Sequence, residues 1–428
     1  MKLLLSAGRV IDPVNKINDV LDILVENGKI IKVGKNIKDK TAKIVDLKGK
    51  AVVPGLIDMH VHLREPGFEY KETIATGVRA AVMGGFTSVA CMPNTDPVMD
   101  NTAVVEYVIS KGKKENLANV YPIASVSKAA KGEEISDIGM LLNSGAVALS
   151  DDAAPLMNAE VMRRAFEYAK QFKVSIITHC EDKNMTLDGV MNESFNSTVL
   201  GLRGMATAAE SFMVYRNISI ANYMKAAVHI AHISCKESVD IVRWAKKQGI
   251  KVTCETAPHY FTLTDDAVKS YDTNTKMNPP LRSEEDVKAI KAGLKDGTID
   301  CIASDHAPHG RIDKELEYNC AAFGIVGLET MVCLTLTELV NKKILTLEQA
   351  VEKLSVMPAK ILGLNKGSLS IGADADITVL DLEQEYKIDV SKFESKSKNS
   401  PFNGRAVKGA AFMTIVGGEI KMKEGKIL

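Results

Sequence analysis

The chain has 428 residues, 54 basic and 54 acidic side chains, and therefore no formal net charge; 25% of its residues are charged and 46% hydrophobic. It is too apolar for a disordered chain and too neutral for one built to grip nucleic acid or an acidic membrane surface. No apolar run approaches the roughly 18–20 residues of a spanning helix, Leu3 to Leu5 is too short for a secretory signal, and seven cysteines fall singly without a CxxC pair, so a cytoplasmic, reducing setting is expected.

The first fifty residues read as short strands. Residues 22–25 and 29–33 flank Asn27-Gly28, a dipeptide suited to the positive φ angles of a type I′ hairpin turn. Short apolar runs then recur, ending near Asp58, Met92, Ser125, Ser150, Thr178, Ala231, Glu255 and Ser304. Helical spacing follows them, as in residues 158–172, 236–249 and 283–297. Eight strands alternating with helices predict an α/β fold, a (β/α)8 TIM barrel over residues 53–357. The competing open, doubly wound sheet is weakened because no G-x-G-x-x-G follows the first strand. The last seventy residues return to strand patterning, at 375–380 and at 414–420 with Gly417-Gly418 at a turn, separated by a polar loop at 392–399. Residues 1–52 and 358–428 are expected to pair into one small composite β-sandwich domain, because chain termini often lie close together.

All eight histidines lie between residues 60 and 309. His60 and His62 close the first predicted barrel strand, Asp151 and Asp152 the fourth, His179 the fifth, His232 the sixth, and Asp305-His306 the eighth. In a barrel those strand ends converge on one mouth. An i, i+2 pair leaves a strand on the same face, so His60 and His62 can share one ion. Imidazoles with carboxylates suit zinc held for catalysis. Six ligands are enough for two ions about 3.5–4 Å apart, with Asp151 placed to offer one oxygen to each. No lysine stands near the end of strand four (146–150) to make a carboxylated bridge. His229, three residues before His232, is expected on the opposite face as a packed barrel residue. His259 is expected to be a satisfied buried polar group, and His306 to lie behind the ligands. Arg64, two residues past His62, can offer its guanidinium fork to a carboxylate, whereas Asn94 by default is a turn residue.

The blocks PGLIDMHVHLREPG (54–67), MPNTDP (92–97), SDD (150–152), THCED (178–182), AHIS (231–234), ETAPHYFTLTDD (255–266), KMNPPLR (276–282), SDHAPH (304–309) and FGIVGLET (323–330) resemble, in order, the longer bacterial dihydroorotases of the amidohydrolase superfamily. The resemblance implies one zinc on His60, His62 and Asp305, a second on His179 and His232, and Asp151 bridging. It implies that His62, Arg64, Asn94, Asn278 and His309 hold the substrate, with Phe323-Gly324 against its ring, and that Asp305 is the general base and acid for a hydroxide attacking a cyclic amide. Met59 stands where the family often has proline, and Ala153 where glycine is common. The expected reaction is the interconversion of dihydroorotate and N-carbamoyl-aspartate in pyrimidine synthesis. The alternatives are a hydantoinase-, dihydropyrimidinase- or allantoinase-like enzyme, or a non-catalytic partner of aspartate carbamoyltransferase. Expected partners are the small-molecule substrate, a second copy of the chain and aspartate carbamoyltransferase, with neither nucleic acid nor membrane.

Overall fold

A computed structural model describes residues 2–428. Its N-terminal part consists of β1 (Lys2–Asp12), β2 (Ile17–Glu26), β3 (Lys29–Gly34), β4 (Lys43–Asp46) and β5 (Ala51–Pro54). The β2–β3 hairpin turns on Asn27 (φ 49°) and Gly28 (φ 77°), the left-handed pair its sequence asks for.

After Gly55 the chain enters a second sheet. Its strands are β6 (Leu56–Val61), β7 (Phe86–Cys91), β8 (Asn119–Ser125), β9 (Ala148–Ser150) and β10 (Ile176–Thr178). A two-stranded ladder, β11 (Met191–Asn192) and β12 (Gly204–Met205), interrupts the series before β13 (Val228–Ile230), β14 (Val252–Thr256) and β15 (Cys301–Ile302). The eight barrel strands pair in parallel and in chain order. A parallel bridge between Val61 and His306 joins the last strand to the first, with the His62 N–H donating to the His306 carbonyl at 2.8 Å. All eight strands end within a few residues of where their apolar runs stop. Intervening helices start and stop at local signals: Asn158 caps Ala159–Ala169, and Ser283 caps Glu284–Asp296, which ends at Gly297 with φ 81°.

The chain then returns to the first sheet through β16 (Ile377–Lys387), β17 (Ala406–Val416), β18 (Glu419–Lys423) and β19 (Lys426–Ile427). β16 pairs antiparallel with β5, Ile377 opposite Pro54 and Leu380 opposite Ala51. The two chain ends thus make one nine-stranded sheet around a core that includes Leu3, Val10, Ile23, Val52, Ile377 and Met413. β5 runs through Pro54, so the two sheets meet at Gly55, whose N–H donates to Asp376 across the junction at 2.8 Å. The polar segment 392–399 is not a free surface loop: it leaves this sheet and docks on the barrel mouth, where Ser395 and Asn399 are buried.

Candidate active site

The chain following each barrel strand carries the polar side chains. Arg64, His232 and Asp305 have φ of 63°, 31° and 48°, in the left-handed region that non-glycine residues rarely adopt. Such strain persists where the surrounding structure over-determines it, and here it turns three side chains toward one centre. His60, His62, Asp152, His179, His232 and Asp305 are all buried there. One carboxylate oxygen of Asp152 lies 3.4 Å from His60 Nε2 and 3.5 Å from His62 Nε2; the other lies 3.7 Å from His179 Nδ1 and 3.4 Å from His232 Nε2. Asp305 Oδ1 closes the group at 3.2 Å from His62 Nε2 and 3.5 Å from His60 Nε2.

The place among the imidazoles expected of Asp151 is therefore taken by Asp152. Asp151 turns away toward the loop after β8, where its carboxylate accepts hydrogen bonds from Ser125 Oγ (2.6 Å), Val126 N (2.7 Å), Ser127 N (3.1 Å) and Ser127 Oγ. Three of those donors converge on Oδ1, which ties the carboxylate to that loop rather than to the histidines. Ala153, where the family commonly has glycine, takes φ 68°.

The donors fit a bound metal. His60 Nε2 and Asp152 Oδ1 are buried with no hydrogen-bond partner, a costly state for polar atoms, and His179 Nδ1 faces His232 Nε2 at 2.9 Å. His60, His62 and Asp305 could hold one ion, and so could His60, Asp152 and His232. Burial pushes the Asp152 carboxyl up, but His60 and His232 outweigh it and hold the group well below the usual carboxylate range. Asp305 is likewise raised by burial but brought well down overall by His62, His60 and His232. Both are anions.

Two carboxylates that sequence reasoning did not single out hold the imidazoles, Glu181 from the cavity wall. Glu255 Oε1 lies 2.6 Å from His60 Nδ1, and Glu181 Oε2 lies 3.0 Å from His179 Nε2. Each fixes which ring nitrogen faces the centre. Glu181 had a signal, standing two residues after His179. Glu255 closes its strand just as the ligands do.

A cavity of about 280 Å³ opens on this centre, and His62, Arg64, Asn94, Asn278, His309, Phe323 and Gly324 all line it. Asn94 Oδ1 meets His62 Nδ1 at 2.9 Å, and Asn278 Nδ2 donates to Glu181 Oε2 at 2.9 Å. Arg64 is 9% exposed; its Nε donates to the Pro308 carbonyl at 3.1 Å and an Nη lies 3.3 Å from His309 Nε2. Among the described residues no carboxylate pairs with it, and burial lowers its pKa only to about 10, so it stays a cation. His309 is pushed down to about 2 by burial and by Arg64, Lys71 and Lys314, and is neutral.

The other histidines divide. His229 is a packed barrel residue, but it faces inward beneath the centre, its Nε2 3.3 Å from Glu255 and its Nδ1 2.8 Å from Thr253 Oγ1. The left-handed turn at His232 breaks the strand alternation on which the opposite-face expectation rested. His259 is buried, yet its Nε2 has no partner, contrary to the expected satisfied group. His306 lies 3.3 Å from Glu72 and accepts from the Gly327 N–H at 3.1 Å.

A parallel eight-stranded barrel with four imidazoles and two carboxylates gathered at its mouth is the arrangement of a site that could hold a catalytic metal. An L-hydantoinase (dihydropyrimidinase) from Arthrobacter aurescens superposes with a TM-score of 0.87 at 26% identity, over 100% of this chain and 97% of that one. A dihydropyrimidinase from Brevibacillus agri gives 0.86 at 22%, over 100% and 96%, a likeness of fold. Residues 49–238 match the Dihydro-orotase-like family model. The dihydroorotase of Acetivibrio thermocellus is 53% identical over 100% of both chains, and that of Geobacter metallireducens 55% over 99% of this chain and 100% of its own. The chain belongs to the dihydroorotase family, whose members are hydrolases of cyclic amides.

Proposed function

We propose that this chain interconverts dihydroorotate and N-carbamoyl-aspartate, the ring-closing step of pyrimidine synthesis. The observation that carries the substrate is Arg64, a buried guanidinium with no carboxylate of its own, aimed into the cavity beside the metal-ligand cluster. A ring carboxylate supplies the missing anion, with Asn94, Asn278 and His309 around it and Phe323-Gly324 against the ring. His60, His62 and Asp305 would hold one zinc ion, His179 and His232 a second, and Asp152 would bridge them. Zinc, when bound, supplies Lewis-acid polarisation of the amide carbonyl and a water acidic enough to attack at neutral pH. Asp305, kept ionised by its imidazole neighbours, takes the proton of the attacking water. As the carbonyl carbon gains that oxygen and its bond to the ring nitrogen breaks, Asp305 returns the proton to the nitrogen. Ring closure retraces the same transfers.

The hydantoinase-like alternative finds no support at strand four, where β9 is Ala148–Ser150 followed by two aspartates rather than a lysine. Retention of all the imidazole and carboxylate donors argues against a non-catalytic partner. A cytoplasmic setting is supported by seven free cysteines, six of them buried. Among the described residues no helix is long and apolar enough to cross a membrane. For the expected second copy of the chain, exposed aromatic side chains are available at Tyr215 and Trp244, whose ring centroids lie 6.0 Å apart. The deciding experiment offers dihydroorotate, hydantoin and allantoin side by side to zinc-supplemented protein of measured metal content. Preferred turnover of dihydroorotate at two zincs per chain is expected; preferred turnover of hydantoin would overturn the reading.

A further inference from the structure

Between β16 and β17 the chain leaves the terminal sheet and crosses to the barrel mouth. The crossing segment is held along its length. Glu329 accepts the N–H groups of Glu394 (2.8 Å) and Ser395 (3.1 Å), Glu72 accepts that of Lys396 (3.1 Å), and Ser397 Oγ donates to the Lys71 carbonyl (2.6 Å). It delivers Asn399, 5% exposed, between two loops that form one wall of the cavity.

The Asn399 carboxamide is used almost fully. Its Oδ1 accepts the His309 N–H at 3.1 Å, and its Nδ2 donates to the carbonyls of Ala307 at 3.1 Å and Gly324 at 3.0 Å. Its own carbonyl accepts the Val326 N–H at 2.9 Å. One planar group with an acceptor and two donors thus ties the loop carrying His309 to the loop carrying Phe323-Gly324. The loops approach so closely that a Cβ on Gly324 would sit 2.6 Å from that of Ala307. Few side chains can replace this pattern, because it needs two N–H donors and one acceptor in a fixed fork.

We propose that Asn399, supplied by the terminal sheet, is a positioning residue for substrate capture: it sets the spacing between the His309 and Phe323-Gly324 walls. This rests on the reading that those walls contact dihydroorotate. None of its hydrogen bonds reaches the metal-ligand cluster or Asp305, so its loss acts on binding rather than on the chemical step. A residue that merely held the fold together would behave differently, since its loss lowers the active fraction and hence apparent kcat at constant KM.

The test measures kcat and KM for dihydroorotate, zinc content and melting temperature for wild type, Asn399→Ala and Asn399→Leu, leucine filling the amide's volume without its hydrogen bonds. Ser391→Ala, an exposed change in the same excursion, serves as control and should match wild type. KM is expected to rise roughly tenfold in both Asn399 variants, with kcat within about twofold and zinc unchanged. Should neither variant fold, Asn399→Ser, which restores one donor and one acceptor, is read by the same criterion with a smaller rise. A KM within twofold of wild type, or a loss confined to kcat, would overturn the proposal. Failure of wild type to turn over dihydroorotate would refute the underlying reaction instead.

Discussion

Asp151 and Asp152 are neighbours in the chain with opposite tasks. Asp152 has His60, His62, His179 and His232 around it, whereas Asp151 holds the loop after β8 through four accepted hydrogen bonds. Asp152→Asn should lower zinc content to one per chain or fewer by elemental analysis. Asp151→Asn should keep both metals, but destabilise the fold by about 2–3 kcal/mol, the scale of hydrogen bonds to a charged group. The reverse pattern would restore Asp151 as the bridge. His309 makes a second prediction. Unfolded, its imidazole titrates near 6.5; folded, burial and the cations Arg64, Lys71 and Lys314 press it down to about 2. Below pH 6.5 the unfolded chain takes up a proton that the folded one refuses, so stability is full above that pH and falls as pH drops. Relative to His309→Asn, wild type should lose about 1.4 kcal/mol at pH 5.5 and almost nothing at pH 7.5. Denaturant titrations at the two values measure it, metal loss being common to both proteins, and parallel pH curves would contradict a neutral His309.

Among the elements, β6 and β14 cooperate across the barrel. β6 presents His60 and β14 presents Glu255 behind it, so the imidazole's orientation is fixed by a strand nearly two hundred residues later in the chain. Burial pushes Glu255 up, but His60 and His229 bring it down overall to about 2, so it is ionised and can hold the His60 ring. Glu255→Gln keeps the shape and removes the charge; zinc affinity, read by chelator competition, should fall about 10-fold or more. Unchanged affinity would reduce Glu255 to a packing group. Strand endings, helix caps and the Asn27-Gly28 turn were legible in the sequence because each is decided within a few residues. The inward face of His229 was not, because φ at His232 breaks the two-residue alternation and only the closed barrel imposes that turn.

The whole molecule turns on the junction of its two sheets. β5 and β6 are separated by Gly55 alone; a Cβ there would lie 2.2 Å from Thr87 Oγ1 and 3.0 Å from the Asp376 carbonyl carbon. Gly55→Ala should therefore cost about 1–3 kcal/mol as overpacking. Gly34→Ala, with nothing within 4 Å, should be near neutral. Equal denaturation midpoints would show that the junction yields. The same union lets the terminal sheet send Asn399 to the barrel mouth. By itself the sequence determined the barrel strands, the strand patterning of the two chain ends and the residue types of the site, since periodicity, caps and the His-x-His spacing are written locally. Tertiary structure decided which of two adjacent aspartates faces the histidines, because the donors that claim Asp151 come from Ser125 to Ser127, 24 to 26 residues earlier. It also decided that Asn399 touches His309 across 90 residues. Partners that far apart leave no trace in local spacing; closure of the barrel and docking of the terminal sheet bring them into hydrogen-bonding range.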